Sequence, residues 1–232
     1  MKGLKMMNYT SVLMDADDTI FDFPKCEYTA LKNTLNIHQL VFNDEVYHTF
    51  SKINSDLWKQ LELKKITRYD LRIQRFQELI RKCFDGFENC DMLADEYVNQ
   101  LSRQAILIDG AASALEKISS CADLYIITNG LKVVQRGRLK RTDITRFIKK
   151  VYISDEIGIN KPDKAFFDFV LSDIPEKDLS NIIVVGDSLS SDMQGGRNAG
   201  LTTCLYDPKD RVVMPHPLCD FKIKNLEELL SL

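Results

Sequence analysis

Acidic residues in this 232-residue sequence form two clusters whose carboxylates could take part in catalysis or bind a metal ion. The segment Asp15-Ala-Asp17-Asp-Thr19 carries one cluster, and Gly186-Asp187-Ser188 together with Asp192 carries the other. A carboxylate can act as a nucleophile or as a general acid and base, and clustered carboxylate oxygens suit hard divalent cations. Taken singly, each segment is also compatible with an ordinary aspartate turn or a helix N-cap. The chemistry therefore depends on what else lies beside these residues.

Two further polar segments follow apolar runs, Thr128-Asn129 and Lys161-Pro162. Alone, a threonine at a strand end is usually structural and a lysine in a loop is usually solvated. All four polar segments, however, come after runs of β-branched and apolar residues that are typical of buried strands. Open α/β sheets bind ligands beyond the carboxyl ends of their strands, so the four segments are predicted to meet in one site.

The elements that must position these segments alternate between strand and helix over most of the chain. Buried strands are predicted at 9–14, 124–127, 151–153, 182–185 and 202–206. This alternation implies an α/β fold with a mainly parallel sheet flanked by helices on both faces. Between about Pro24 and Arg103 the apolar residues instead recur at spacings of three and four, which predicts a small all-helical unit inserted after the first strand.

Composition excludes several classes of protein. The 31 basic and 34 acidic residues leave a formal net charge of −3, which argues against binding to a nucleic-acid polymer. The six cysteines show no CxxC pair, so neither a zinc site nor a disulfide framework is indicated. No apolar run approaches the ~18 residues of a membrane span, and the N-terminus lacks a signal-peptide pattern. We expect a soluble, cytoplasmic protein without a membrane partner, and a monomer by default.

The four segments together resemble a known set of motifs. In chain order, VLMDADDTIFD, IITNG, IGINKPD and VVGDSLSSDMQGGRNAG resemble the four motifs of the haloacid dehalogenase-like hydrolase superfamily. The resemblance covers essentially the whole chain and implies a Rossmann-like α/β core at 1–22 and 105–232. The helical insert, 23–104, resembles the C1 cap domain of that superfamily.

Within the superfamily, the sequence is most similar to the pyrimidine 5′-nucleotidase branch. The similarity rests on the Asp-Ala-Asp-Asp-Thr form of the first motif and on the stretch from Asn129 to Asp163. Asp18 departs from the common pattern, because it stands where glycine is usual. The resemblance to this branch implies that an acidic residue is tolerated at that position.

The resemblance implies a role for each aspartate. Asp15 is implied to be the nucleophile, which forms an aspartyl-phosphate, and Asp17 the acid that protonates the leaving alcohol and later deprotonates water. Mg²⁺ is the implied cofactor. Its implied ligands are the carboxylates of Asp15 and Asp187 and the backbone carbonyl of Asp17, while Asp192 orients waters or Lys161.

The other implied site residues bind phosphate. Thr128 and the backbone amide of Asn129 would hydrogen-bond to the phosphoryl oxygens, and Lys161 would balance the charge of the carboxylates and the phosphate. The basic helix between Lys132 and Arg141 is expected to be a solvated face instead.

Aromatic residues near the insert have two possible uses. Phe21 and Phe23 are candidates for lining the pocket of the leaving group, because they follow the first motif directly. Phe50, Trp58 and Tyr69 are expected to pack in the core of the helical unit.

The sequence predicts a Mg²⁺-dependent phosphomonoesterase acting on a small phosphorylated metabolite, with a nucleoside 5′-monophosphate as the best candidate. A phosphomutase of the β-phosphoglucomutase type shares the cap and the motifs and stays open. A dehalogenase is disfavoured by Asp17, because a halide leaves without protonation. A non-catalytic binding protein on the same scaffold is the alternative from another class.

Overall fold

The structure, a computed structural model, describes residues 7–84 and 88–232. Residues 1–6 of the predicted core segment and 85–87 of the predicted insert lie outside the described residues. Six strands form one sheet: β1 Ser11–Met14, β2 Asp123–Thr128, β3 Lys150–Ile153, β4 Ile182–Gly186, β5 Thr202–Tyr206 and β6 Phe221–Ile223. Their order is β3-β2-β1-β4-β5-β6, and every neighbouring pair is parallel. The predicted α/β class with a mainly parallel sheet is confirmed. Strand β6 was not predicted, because a lysine separates its two apolar residues and no continuous apolar run marks it.

Strand β1 lies at the centre of the sheet, where the strand order reverses. Met14 pairs with Ile126 of β2 on one side and with Val185 of β4 on the other. The residues that follow these three strands therefore emerge side by side. A reversal of strand order at the carboxyl edge is where open α/β sheets form their binding crevice.

Among the described residues, four helices lie between β1 and residue 103, and we call them the inserted helices. They are α1 Phe23–Ile37, α2 Asp44–Glu62, α3 Arg68–Cys83 and α4 Cys90–Ser102. Their common apolar core is centred on the rings of Phe50, Phe76 and Tyr97, whose centroids lie 5.1–5.6 Å apart. Polar N-caps fix where these helices begin, and the capping box of Thr67 and Asp70 starts α3.

The remaining helices cover the sheet or follow its strands. They are α5 Ala111–Ser119, α6 Lys132–Leu139, α7 Ser154–Ile157, α8 Lys164–Asp173 and α9 Gln194–Asn198. Helix α5 packs on one face of the sheet and α8 on the other, each within its own apolar cluster. Among the described residues, no helix is both long and apolar enough to cross a bilayer.

Candidate active site

The loop after β1 holds the first pair of predicted site residues. Asp15 continues the strand, since its backbone N–H donates to the carbonyl of Val185 in β4 at 2.8 Å. The chain then turns sharply, because the amides of Ile20 and Phe21 both donate to the carbonyl of Ala16. Asp15 is buried at the base of the turn, and the carboxylate of Asp17 is about a quarter exposed.

Asp18 shows why glycine is usual at its position. Its φ is +59°, in the left-handed region where residues with a Cβ are strained by roughly 1–2 kcal/mol. Aspartate tolerates this region better than most residues, so Asp18 is compatible with the same turn. Burial, together with the nearby carboxylates of Asp17 and Asp22, raises the pKa of Asp18 to about 7.

Lys161 joins the carboxylates at the end of the sheet. Its side chain is 1% exposed, and Nζ donates to Asp15 Oδ1 at 2.5 Å, Asp192 Oδ1 at 2.6 Å and the carbonyl of Ile127 at 2.9 Å. Burial opposes the charge of the ammonium, but Asp15 and Asp192 outweigh it and raise the pKa of Lys161 above its ordinary value. All three protons of this lysine are thus used inside the cluster.

The side chain of Asn129 holds the backbone of Lys161 in place. Its Nδ2 donates to the carbonyl of Lys161 and its Oδ1 accepts from the amide of Lys161, both at 2.9 Å. The side chain of Asn129 is therefore occupied, which leaves its backbone amide as the group available to a phosphate. Thr128 is buried beside it, and its hydroxyl oxygen accepts from the amide of Gly130 at 3.0 Å.

Asp187 and Asp192 complete the acidic cluster from the end of β4. Carboxylate oxygens of Asp15, Asp187 and Asp192 lie within 4.8 Å of one another. A side chain at Gly186 would bring its Cβ to 2.3 Å from Asp192 Cγ, so a glycine is needed for Asp192 to reach Lys161. The second oxygen of Asp192 accepts from the amide of Ser188 at 3.2 Å.

The cluster fits a divalent cation. Burial raises the pKa of Asp187 well above its ordinary value, and Asp15 and Asp192 raise it further. Within the described parts of the chain, no donor hydrogen-bonds to the carboxylate of Asp187. An oxygen-rich group of carboxylates with excess negative charge is the environment in which Mg²⁺ binds. Asp192, whose oxygens both accept hydrogen bonds, fits an orienting role better than direct coordination.

A cleft of about 220 Å³ lies between these residues and the inserted helices. Its polar wall contains the cluster, Asp17 and Thr128, and its other wall contains Phe23, Trp58 and Glu62.

The aromatic residues fall differently from the expectation. Phe23 lines the cleft as expected of it, but Phe21 is fully buried. Phe50 packs in the core of the inserted helices, whereas Tyr69 is 65% exposed. Trp58, which was expected in the core, packs against that core and also lines the cleft.

Direct contacts join the inserted helices to the loops of the sheet. Arg68, the first residue of α3, donates to the carbonyl of Asn129 at 3.1 Å, to Ser154 Oγ at 2.6 Å and to Asn160 Oδ1. Near the end of α2, Glu62 accepts a hydrogen bond from Ser190 at 3.0 Å. These contacts tie α2 and α3 to the loops that follow the strands.

The fold and the four motifs agree with a match to a known family. A family model described as haloacid dehalogenase-like hydrolase matches residues 12–206, most of the chain. The chain belongs to the haloacid dehalogenase-like hydrolases. The family and the nucleotidase-like branch named from the motifs are thereby confirmed, since relatives of that branch are among those found.

Similar members of the family come from several bacteria. The chain is 33% identical to the HAD-hydrolase YfnB of Bacillus subtilis over 225 residues, covering 97% of this chain and 95% of that protein. It is 34% identical to the pyrimidine 5′-nucleotidase PynA of Streptococcus pneumoniae over 203 residues, covering 87% and 85%. A crystal structure of YfnB bound to magnesium, which reveals interdomain movement, aligns with a TM-score of 0.89 at 32% identity, covering 96% and 97%.

Helix α6 of this hydrolase contributes residues that were missed in the sequence. The basic segment was expected to be solvated, and for Arg136, which pairs with Glu156 near the surface, that holds. For Arg138 the expectation was wrong, because its side chain is fully buried and pairs with Asp17. The signal was available, since Leu131, Val134 and Arg138 recur at spacings of three and four and share a helical face.

Proposed function

We propose that this hydrolase is a Mg²⁺-dependent phosphomonoesterase that acts on a small phosphorylated metabolite, a nucleoside 5′-monophosphate, through an aspartyl-phosphate. The observation that carries this proposal is the bridge of buried Lys161 between Asp15 and Asp192 at the base of the cleft. At the end of the central strand, the carboxylate of Asp15 provides a nucleophile. The fully buried ammonium of Lys161 beside it provides a counter-charge for phosphate.

In the first step Asp15 attacks the phosphorus atom in line with the leaving oxygen. The bond between phosphorus and Asp15 forms as the bond to the leaving oxygen breaks, and Asp17 supplies the proton to that oxygen. In the second step Asp17 takes a proton from the water that hydrolyses the aspartyl-phosphate. The hydroxyl of Thr128 and the amide of Asn129 hydrogen-bond to the transferring phosphoryl oxygens, and Lys161 balances their charge.

The carboxylates of Asp15 and Asp187 and the backbone carbonyl of Asp17 would hold Mg²⁺. When bound, the cation supplies positive charge that lowers the repulsion between the carboxylates and the phosphate. Asp192 keeps Lys161 oriented toward Asp15 through its bond of 2.6 Å.

Two aromatic side chains support the nucleotide assignment. Phe23 and Trp58 line the cleft next to the predicted phosphate site, and flat rings of this kind stack on nucleobases. The similar protein from Streptococcus pneumoniae is named a pyrimidine 5′-nucleotidase. We also propose that 23–104 acts as a cap over a core formed by 1–22 and 105–232, which excludes bulk water and large esters.

A phosphate-release assay over nucleoside monophosphates and sugar phosphates, with and without Mg²⁺, tests the proposal. We expect Mg²⁺-dependent release that is fastest with a nucleoside monophosphate, and a loss of at least about 10³-fold in Asp15→Asn because the nucleophile is gone. Unchanged activity in Asp15→Asn would overturn the mechanism.

The same assay separates the alternatives. Conversion of a sugar phosphate to its isomer without release of phosphate would indicate a phosphomutase instead. A chain that neither releases phosphate nor binds a metal-fluoride mimic of it in Mg²⁺ would be a non-catalytic binding protein.

A further inference from the structure

We propose that Gln135 and Arg138 of helix α6 are positioning residues that hold the carboxylate of Asp17 for proton transfer, an inference that rests on the proposed function. Gln135 Nε2 donates to Asp17 Oδ2 at 2.6 Å, and Arg138 Nη1 donates to Asp17 Oδ1. Each carboxylate oxygen has its own donor, so rotation of the carboxylate would break a hydrogen bond. We call this arrangement the α6 clamp.

The partner of Arg138 argues against a merely structural ion pair, because Asp17 lines the cleft and is partly exposed. The side chain of Arg138 is 0% exposed, and its guanidinium carbon lies 5.4 Å and 5.6 Å from the ring centroids of Phe21 and Phe23. Its Nε and Nη2 have no hydrogen-bond partner among the described residues. A hydrophobic side chain of similar size commonly serves stability as well as a buried ion pair does. The positive charge of Arg138 is therefore best explained by its ion pair with the carboxylate of Asp17.

The glycine after Asn129 provides independent support. A Cβ at Gly130 would lie 2.2 Å from Gln135 Nε2, the atom that bonds to Asp17. Among the described residues, chain neighbours aside, the three atoms nearest to that position all belong to the Gln135 side chain. The absence of a side chain at Gly130 is thus what lets Gln135 reach across to Asp17.

Helix α6 is itself held firmly, which the clamp requires. Val134 is 3% exposed and packs in the apolar core of the inserted helices. Gly137 lies against the end of α4, where a Cβ would be 2.7 Å from the carbonyl oxygen of Ser102. The donors on α6 are therefore fixed relative to the inserted helices as well as to Asp17.

The clamp predicts an effect that depends on the leaving group. An alkoxide leaving from a nucleotide needs the proton that Asp17 donates, whereas p-nitrophenolate leaves readily without it. Because kcat/KM reports the steps up to the first phosphoryl transfer, it isolates this proton donation from the later attack of water. A displaced Asp17 should lower kcat/KM for the nucleotide much more than for the aryl ester.

The experiment measures kcat/KM of the full chain in Mg²⁺ for uridine 5′-monophosphate and p-nitrophenyl phosphate. For Gln135→Leu we expect a loss of roughly 10²-fold with the nucleotide, the size of effect that misplacing a catalytic acid produces. The kcat/KM for p-nitrophenyl phosphate should change less than about threefold, because the variant keeps the phosphate-binding groups and the nucleophile. Arg138→Met should show the same selectivity.

Two controls make the test specific. Arg136→Met removes a basic residue from the same helix, but its partner is Glu156, so both esters should react as in the wild type. Gly130→Ala should reproduce the selective loss in the wild-type background. In a Gln135→Ala background it should add little, since the side chain it displaces is absent.

The outcomes distinguish this inference from the proposed function. If the wild type is active and Gln135→Leu lowers kcat/KM for both esters equally, or for neither, the clamp is overturned and the proposed function stands. If Arg138→Met does not fold, Gln135→Leu and Gly130→Ala decide alone. A wild type inert toward both esters overturns the proposed function.

Discussion

Lys161 in the core and Arg75 among the inserted helices are both buried cations, and they are partnered very differently. Lys161 donates to two carboxylates and a carbonyl, beside the cleft. Arg75, 2% exposed among the inserted helices, donates one hydrogen bond of 3.4 Å to Asn54 and lies 4.5 Å from the ring centroid of Tyr97. Asn54 in turn donates to the buried Glu27 at 2.7 Å.

The charge balance of the two clusters also differs. Around Arg75 one carboxylate, Glu27, faces one cation, so the group is formally neutral. Around Lys161 three carboxylates, Asp15, Asp187 and Asp192, face one cation, which leaves a formal charge of −2. Burying net charge is unfavourable unless a ligand compensates for it. A buried cation by itself does not indicate function, whereas an uncompensated cluster that opens to a cleft does.

Lys161→Met should have the largest effect on activity. Removing the ammonium leaves the phosphate facing carboxylates, so we expect kcat/KM to fall by about 10³-fold, at the upper end for loss of one charge-stabilising group. Steady-state phosphate release measures it. Activity within tenfold of the wild type would mean that the two buried cations are equivalent and structural.

Mg²⁺ should stabilise the chain through Asp187. A ligand present at about 100 times its Kd stabilises by about 2.7 kcal/mol, so Mg²⁺ should raise the Tm of the wild type and not that of Asp187→Asn. Without Mg²⁺, Asp187→Asn should be as stable as the wild type or more stable, because a source of repulsion is gone. Thermal unfolding in a Ca²⁺-free buffer, with and without Mg²⁺, measures the Tm of both proteins. Equal Mg²⁺ shifts in the two proteins would contradict the assignment of the cluster as a cation site.

Arg75→Met should have the smallest effect of these changes. It should lower the stability of the protein but not its activity. The contacts with the rings of Phe76 and Tyr97 and the long hydrogen bond to Asn54 are lost, and Glu27 is left without a cation, so we expect a loss of about 1–2 kcal/mol. Denaturant unfolding measures this change. Activity should stay within about threefold of the wild type, and a hundredfold loss of activity in the folded variant would refute the distinction between the clusters.

The positions of the aspartates, the threonine and the lysine were predictable from local pattern. Asp15, Thr128 and Asp187 come after apolar runs that become β1, β2 and β4, and parallel strands bring their carboxyl ends to one edge. The distances between these side chains were not predictable, because they depend on backbone approaches such as that of Gly186 to Asp192. The monomeric state, the cytoplasmic location and the exact domain limits stay predictions.

The helices show the limit of local pattern most clearly. Arg136 and Arg138 belong to one basic run, yet Arg136 pairs near the surface and Arg138 is buried on Asp17. Trp58 and Phe50 both recur at helical spacing in α2, yet only Phe50 joins the central ring cluster while Trp58 lines the cleft. Helical spacing indicates which residues share a face, but the partner that the face meets is set by distant parts of the chain.

The sequence by itself determined the α/β class, the inserted helices and the order of four polar segments after four strands. These features follow from periodicity and from motif residues that lie close together in the chain. Only the tertiary structure decided which basic residue reaches Asp17, which aromatic rings face the cleft and which two of three clustered carboxylates bond to Lys161. Those contacts join residues as far apart as Asp15 and Lys161, and packing of the sheet against the helices brings them together.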